Sequence, residues 1–298
     1  MVRRTAIGRG ELGVDVAVYS IAALALIVTV YPLLFVFFQS ISSPRSVLLG
    51  ELRLFPDTVY LGSYAKILQK RELWRYYYNT LWIVAVGTLI NLVMTMLTGY
   101  VLSKKDFKFR NHIMAFIVFT MFFGGGMIPF FIQVRNLGLV NTRWALVLPF
   151  AVSAWNVIIA RTYFQSTIPE SLYESAIIDG ATKLQILVYI VLPLSKAVMA
   201  VVALWCIVGF WNSYFWALIF LPDPAKQPIQ IFLVKVLVEG RAIDLGNLYF
   251  GFDSLEKMGI AEQIKYVVII ITILPMLLLY PFLQKYFIKG IMLGALKG

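Results

Sequence analysis

Long apolar runs alternate with short charged connections along almost the whole chain, and the length of those runs sets the plan. Runs bounded by charged residues place spanning helices at about 16–40, 78–102, 112–134, 144–161, 197–221 and 265–284. At 1.5 Å of rise per residue each is long enough, allowing tilt, to cross a hydrocarbon core about 30 Å thick, with the fourth at the short limit. The pattern predicts an all-α polytopic membrane protein: six transmembrane helices in a single unit over residues 1–298, with both termini on one side. Pro32, Pro129, Pro149 and Pro275 fall in or near these runs, which is tolerable where neighbouring helices satisfy the freed carbonyls. The first run is uncharged over 16–43. That exceeds the roughly 7–15 residues of a signal core, and no small-residue cleavage site ends it, so it reads as a helix that stays.

Composition agrees with the pattern. The chain is 60% hydrophobic and 14% charged, with a mean hydropathy of +0.82, where a soluble domain carries about 25% charged residues. The net charge of +11 lies in the connections rather than in one basic domain. It fits loop bias and an anionic lipid surface, not nucleic acid. Basic residues tie when counted over all loops, but the short connection SKKDFKFRN holds Lys104, Lys105, Lys108 and Arg110. Short loops carry the most weight in setting orientation, so the termini are expected in the cytoplasm. Two long polar connections, 44–75 and 223–265, then face outward. The second includes PIQIFLVKVLVEG, too short to span, which reads either as an amphipathic piece on the outer membrane surface or as a partner-docking element.

Chemistry is sparse. Cys206 is the only cysteine and His112 the only histidine. An intrachain disulfide, a thiolate metal site and a Ser-His-Asp set are therefore excluded, and His112 reads as an interfacial residue. The glycines from Gly290 to Gly298 lack the spacing of a phosphate loop. No catalytic residue, no metal ligand and no bound cofactor is expected.

One segment between the fourth and fifth runs is polar: ESAIIDGATKLQILVYIVLP, beginning at Glu174. Carrying Glu174, Asp179 and Lys183 into the bilayer would cost about 8–10 kcal/mol, so they stay outside it. Thr167 with Glu170, Pro169 in a first turn and Gly180 as a stop predict one short helix. Leu172, Tyr173, Ala176 and Ile177 share one of its faces. Thr182 with Gln185 starts a second, which Pro193 breaks or kinks. With Ser175 and Ala176 on its surface and Gly180 at its end, the first helix presents little bulk. Another backbone could approach it closely, as in a docking element; an ordinary loop helix lying on the membrane is the alternative.

The spacing Glu174-Ser175-Ala176, three residues, Gly180, nine residues, Ile190-Val191-Leu192-Pro193 resembles the EAA signature of permease subunits of binding-protein-dependent ABC importers. Ser175 departs from it, standing where the pattern has a second Ala. The stretch MFFGGGMIPFFIQVRNLGLVNTRWALVLP and the ending YPFLQKYFIKGIMLGALKG resemble the carbohydrate-uptake branch, and within it the polysaccharide and acidic-oligosaccharide subgroup, such as the second permease of an alginate importer. The resemblance implies a bacterial inner-membrane protein with a cytoplasmic coupling segment at 165–193. Glu174, Ser175, Ala176, Asp179, Gly180 and Ala181 would sit in an ATPase cleft, and the tail around Gly294 to Gly298 would reach between the ATPases. It also implies the partners: a homologous second permease, two ATPase subunits carrying ATP and Mg, an extracytoplasmic solute-binding protein, and an oligo- or polysaccharide substrate.

A sugar path needs inward polar groups and aromatic faces. Trp211, Asn212, Tyr214 and Trp216 cluster in the fifth run, with Asn156 in the fourth and Gln133, Arg135 and Asn136 near the outer end of the third. Packing or an interfacial belt would also explain the aromatics. An interhelical hydrogen bond would explain Asn156 and Asn91, and a helix-end anchor Arg135. The competing class is an ion-driven secondary sugar transporter, which tends to carry intramembrane carboxylates for coupling. No Asp or Glu lies in any of the six runs.

Overall fold

The computed structural model describes residues 9–50, 55–56, 58–238 and 254–295, with 9–12, 254 and 282–295 described by backbone alone. The regular structure of the described residues is helical throughout. In chain order the helices are α1 (Arg9–Ile41), α2 (Pro44–Leu48), α3 (Gly62–Leu68), α4 (Arg71–Ser103), α5 (Arg110–Phe122), α6 (Met127–Asn136) and α7 (Ala154–Thr167). There follow α8 (Glu170–Ile178), α9 (Lys183–Leu194), α10 (Lys196–Trp211), α11 (Tyr214–Phe220), α12 (Ile229–Leu237) and α13 (Ser254–Ala295).

Among the described residues three helices are long and apolar enough to cross a membrane: Gly13–Ile41 within α1, α4, and Leu255–Pro281 within α13. Three further crossings arise if each of three bent helix pairs counts as one span. The charge pattern predicted an unbroken helix at 112–134, but the chain turns by 117° between α5 and α6. Gly126 holds φ at +86°, which side-chain-bearing residues rarely adopt, and Pro129 has no N–H to offer a preceding turn. The expected helix at 144–161 is likewise divided. Two 3₁₀ turns, Arg143–Leu146 and Leu148–Phe150, precede α7 at a 44° bend, and Ser153 caps α7 by accepting from the Asn156 amide. The helix expected at 197–221 stops at Trp211 and resumes at Tyr214, and an 80° bend separates α9 from α10.

The chain forms two contact units. In the unit made of 70–234 and 273–298, α4 packs against α7 and α10. Small residues let it approach: a Cβ on Gly99 would meet Ala160 Cβ at 2.8 Å, and one on Gly87 would strike the Phe210 ring. Asn79, fully buried, donates to the carbonyls of Ala225 and Gln227 and accepts from Arg143 Nε, so it pins the connection after α11 to α4. The Ile229 amide donates to Thr80 Oγ1 at 2.7 Å. Ile229, Ile231 and Phe232 of α12 are buried, with Phe232 against Tyr76. Whichever reading of PIQIFLVKVLVEG holds, its Ile229, Ile231 and Phe232 face is packed into the protein, while Leu237 and Val238 are exposed. In the other unit, 1–69 and 235–272, buried Gln263 donates to the carbonyls of Ser40, Ser42 and Tyr60 and accepts from Ser63 Oγ. Gly259 lets α13 pass against the Pro44 carbonyl there.

Candidate functional site

The polar segment folds as two short helices meeting at a corner. α8 ends with Gly180 at φ +78°, the Ala181 amide donating to the Ala176 carbonyl and the Gly180 amide to Ile177. This double closure is a Schellman motif, and it requires a left-handed residue at Gly180. Thr182 and Gln185 then form a capping box: Thr182 Oγ1 accepts from the Gln185 amide, and the Gln185 side chain accepts from the Thr182 amide at 2.8 Å. The start of α8 departs from the expected cap. Thr167 is the last residue of α7, the chain is extended through Ile168 and Pro169, and no side chain caps α8. The residue before a proline is driven out of the helical region, which severs Thr167 from Glu170.

Ala176 also departs from expectation. It is buried in the core at 6% exposure, so the outward surface of α8 includes Glu174, Ser175, Ile177 and Ile178, with Asp179 and Gly180 at the corner. Ser175 donates to the Ser171 carbonyl. Ala181 is half-buried. Ile178 is 85% exposed, beside Ile177 and, on α9, Leu184 and Tyr189, so the corner carries apolar surface that the other described residues leave uncovered. A π turn, Ile186–Val191, precedes Pro193, whose missing N–H leaves the helix widened before the 80° bend.

The α4–α5 connection lies against this segment. Lys105 donates to Glu170 at 2.6 Å and holds its carboxyl below the usual range. Lys183 meets Asp106 at 3.3 Å. The Lys104 ammonium sits over the Tyr173 ring and 4.8 Å from the Tyr100 ring centre. Burial pushes Lys104 down to about 8, against the opposing pull of Asp106 and Glu170. Burial pushes the Tyr173 hydroxyl up to about 12. A cavity of about 490 Å³ lies between the connection and α8. These contacts put SKKDFKFRN and the polar segment on the same side of the bundle.

A second cavity, about 410 Å³, opens among α4, α7, α10 and the Asn212–Ser213 break, and its lining includes Asn91, Asn156, Trp205, Asn212 and Trp216. Asn91 Oδ1 accepts from Thr95 Oγ1, Asn156 Nδ2 and the Cys206 thiol, while its Nδ2 donates to the Phe150 carbonyl at 2.9 Å. Trp216 is wedged among Phe130, Phe150 and Phe220. Of the residues picked from sequence as a sugar path, the fold gathers Asn156, Asn212 and Trp216 here. Trp211 is buried beside Tyr77, Tyr214 is exposed outside the cavity, and Gln133, Arg135 and Asn136 lie exposed on α6. Trp205, Cys206 and Ser153 were not singled out for this cavity from sequence; only the convergence of three helices places them together.

Apolar spans, broken helices around a polar-aromatic cavity and a short exposed corner outside them are the architecture of a polytopic membrane protein. The chain belongs to the family of binding-protein-dependent transport system inner membrane components, whose pattern matches residues 91–293. It is 37% identical over 286 residues, 95% of this chain and 98% of that protein, to the polygalacturonan/rhamnogalacturonan transport system permease YtcP of Bacillus subtilis. It is 30% identical over 276 residues, 91% of this chain and 92% of that one, to the arabinooligosaccharides transport system permease AraQ of Halalkalibacterium halodurans. The crystal structure of a bacterial ABC transporter involved in import of the acidic polysaccharide alginate superposes with a TM-score of 0.85 at 33% identity, over 95% of this chain and 99% of that one. The chain is a permease subunit of an ABC importer, a non-catalytic multi-pass membrane subunit. Its family works with a further permease, an ATPase and a binding protein.

Proposed function

We propose that this permease carries an oligo- or polysaccharide into the cytoplasm by alternating access, in a heterodimer with a homologous permease on two ATPase subunits that hold ATP and Mg. The reading takes the chain through the membrane six times, counting each bent pair as one span, with both termini and the α8–α9 corner in the cytoplasm. The observation that carries it is the corner itself. A glycine-locked turn presents Ser175, Ile178 and Asp179 outward beside uncovered apolar side chains, which suits a helix seated in a partner's cleft. ATP closes the ATPase pair, α8 moves with its cleft, and the bundle swings from inward to outward opening to receive substrate from the extracytoplasmic binding protein.

A saccharide is supported by the cavity lining, where amides can bond hydroxyls and indole faces can stack on pyranose rings. Among the described residues no charged side chain lines it, so uronic carboxylates would be met elsewhere, at Arg135 or on the partner permease. Gly180→Val is the test. It forces a β-branched residue into the left-handed region at a site with open space around it, so insertion and assembly should survive while uptake is lost and ATP hydrolysis runs uncoupled. Normal uptake by this variant would overturn the coupling assignment.

A further inference from the structure

We propose that Lys104 and Tyr173 form a positioning clasp that fastens α8 to the end of α4, so that displacement of α8 is delivered through α4 to the polar cavity and not only along the chain through α9 and α10. The inference rests on the reading of α8 as the ATPase-facing helix. Along the chain, α8 is joined to α7 by extended residues Ile168 and Pro169 and to α9 by the turn at Gly180. Its lateral attachments are Ala176 in the core and the contacts with the α4–α5 connection. Lys105 with Glu170 on α8, and beside it Lys183 of α9 with Asp106, leave every partner's side chain at least 61% exposed, so solvent and salt screen them.

The third contact differs. The Tyr173 ring is half-buried between Tyr100, 6.4 Å away, and the Lys104 ammonium. A partly desolvated cation over an aromatic face is attracted more strongly than an exposed ion pair. Tyr100 belongs to the same continuous helix as Asn91, which lies about 14 Å further along its axis at 1.5 Å per residue. One helix thus connects the clasp to the hub of the cavity. The bland role for Lys104 is to cap the carbonyl end of α4, where a cation is favourable whatever Tyr173 does.

The two roles separate in the fully assembled importer reconstituted in liposomes, with ATP hydrolysis and saccharide uptake measured together. Lys104→Met and Tyr173→Leu should each keep hydrolysis while lowering transport per ATP by roughly fivefold. The double variant should fall no further than the worse single. Lys104→Arg should retain coupling. The charged and titratable groups around the cavity beside Lys104 are Tyr100, Lys105, Asp106, Glu170, Tyr173, Glu174 and Lys183. Burial places Lys104 near 8. Transport per ATP should therefore decline as pH rises through about 8 in the unmodified importer and stay level in Lys104→Arg. Wild-type coupling in Lys104→Met, additive losses in the double variant, or the same alkaline decline in Lys104→Arg would each overturn the clasp. If Gly180→Val uncouples while Lys104→Met does not, the clasp alone fails. If Gly180→Val leaves uptake normal, the reading beneath it fails.

Discussion

Asn91 and Ser195 are both buried polar residues in apolar helices, and their surroundings give them opposite values. Asn91 makes four side-chain hydrogen bonds, to Phe150, Thr95, Asn156 and Cys206. At about 0.6 kcal/mol each in a membrane interior, Asn91→Ala should destabilise the protein by about 2 kcal/mol, read as a lower midpoint of thermal unfolding in detergent. The Ser195 hydroxyl, buried at the 80° bend, has no hydrogen-bond partner among the described residues. Ser195→Ala should be neutral or stabilising by up to about 1 kcal/mol in the same assay, because it removes an unpaired polar group. Sequence identified Asn91 and Asn156 as residues that an interhelical hydrogen bond would explain. It did not show that they bond each other, because the partners lie 65 positions apart and only the packing of α4 on α7 joins them.

At the scale of elements, local chemistry was legible where its partners are neighbours in sequence and hidden where they are not. Thr182 and Gln185 form the box their spacing predicts, and Gly180 makes the stop. Thr167 and Glu170 have the same spacing and fail. Pro169 intervenes, and the Glu170 carboxylate is taken by Lys105 from a distant connection. Counting charges made one span of 112–134 because glycines carry no charge, yet the glycines decide the geometry there. Gly126→Ala should cost about 1–2 kcal/mol, since φ is +86°. Gly124→Ala has open space around it and an ordinary φ, so it should leave the melting midpoint unmoved.

For the whole molecule, orientation follows from which surfaces share a side. The α4–α5 connection and α8 touch through Lys105 and Glu170, so single cysteines at Lys108 and Glu174, in a Cys206→Ser background, should label together. With the termini in the cytoplasm, an impermeant maleimide should reach both in inside-out vesicles and neither in intact spheroplasts; the reverse outcome would invert the topology. The overall class was legible because apolar length alone fixes it. The 223–265 connection was not, because Ile229 and Phe232 find their partners on α4, far away in sequence. The described residues include only part of that connection and stop at Ala295, so most of the tail expected between the ATPases lies outside them.

The chain has a single sulfhydryl, and the fold places it on the wall of the polar cavity, hydrogen-bonded to Asn91. That makes the unmodified permease its own reporter. Alkylation of Cys206 by a small reagent added from one face or the other would time the opening of the cavity to that face, with no engineered label and no second thiol in this chain to confuse the trace.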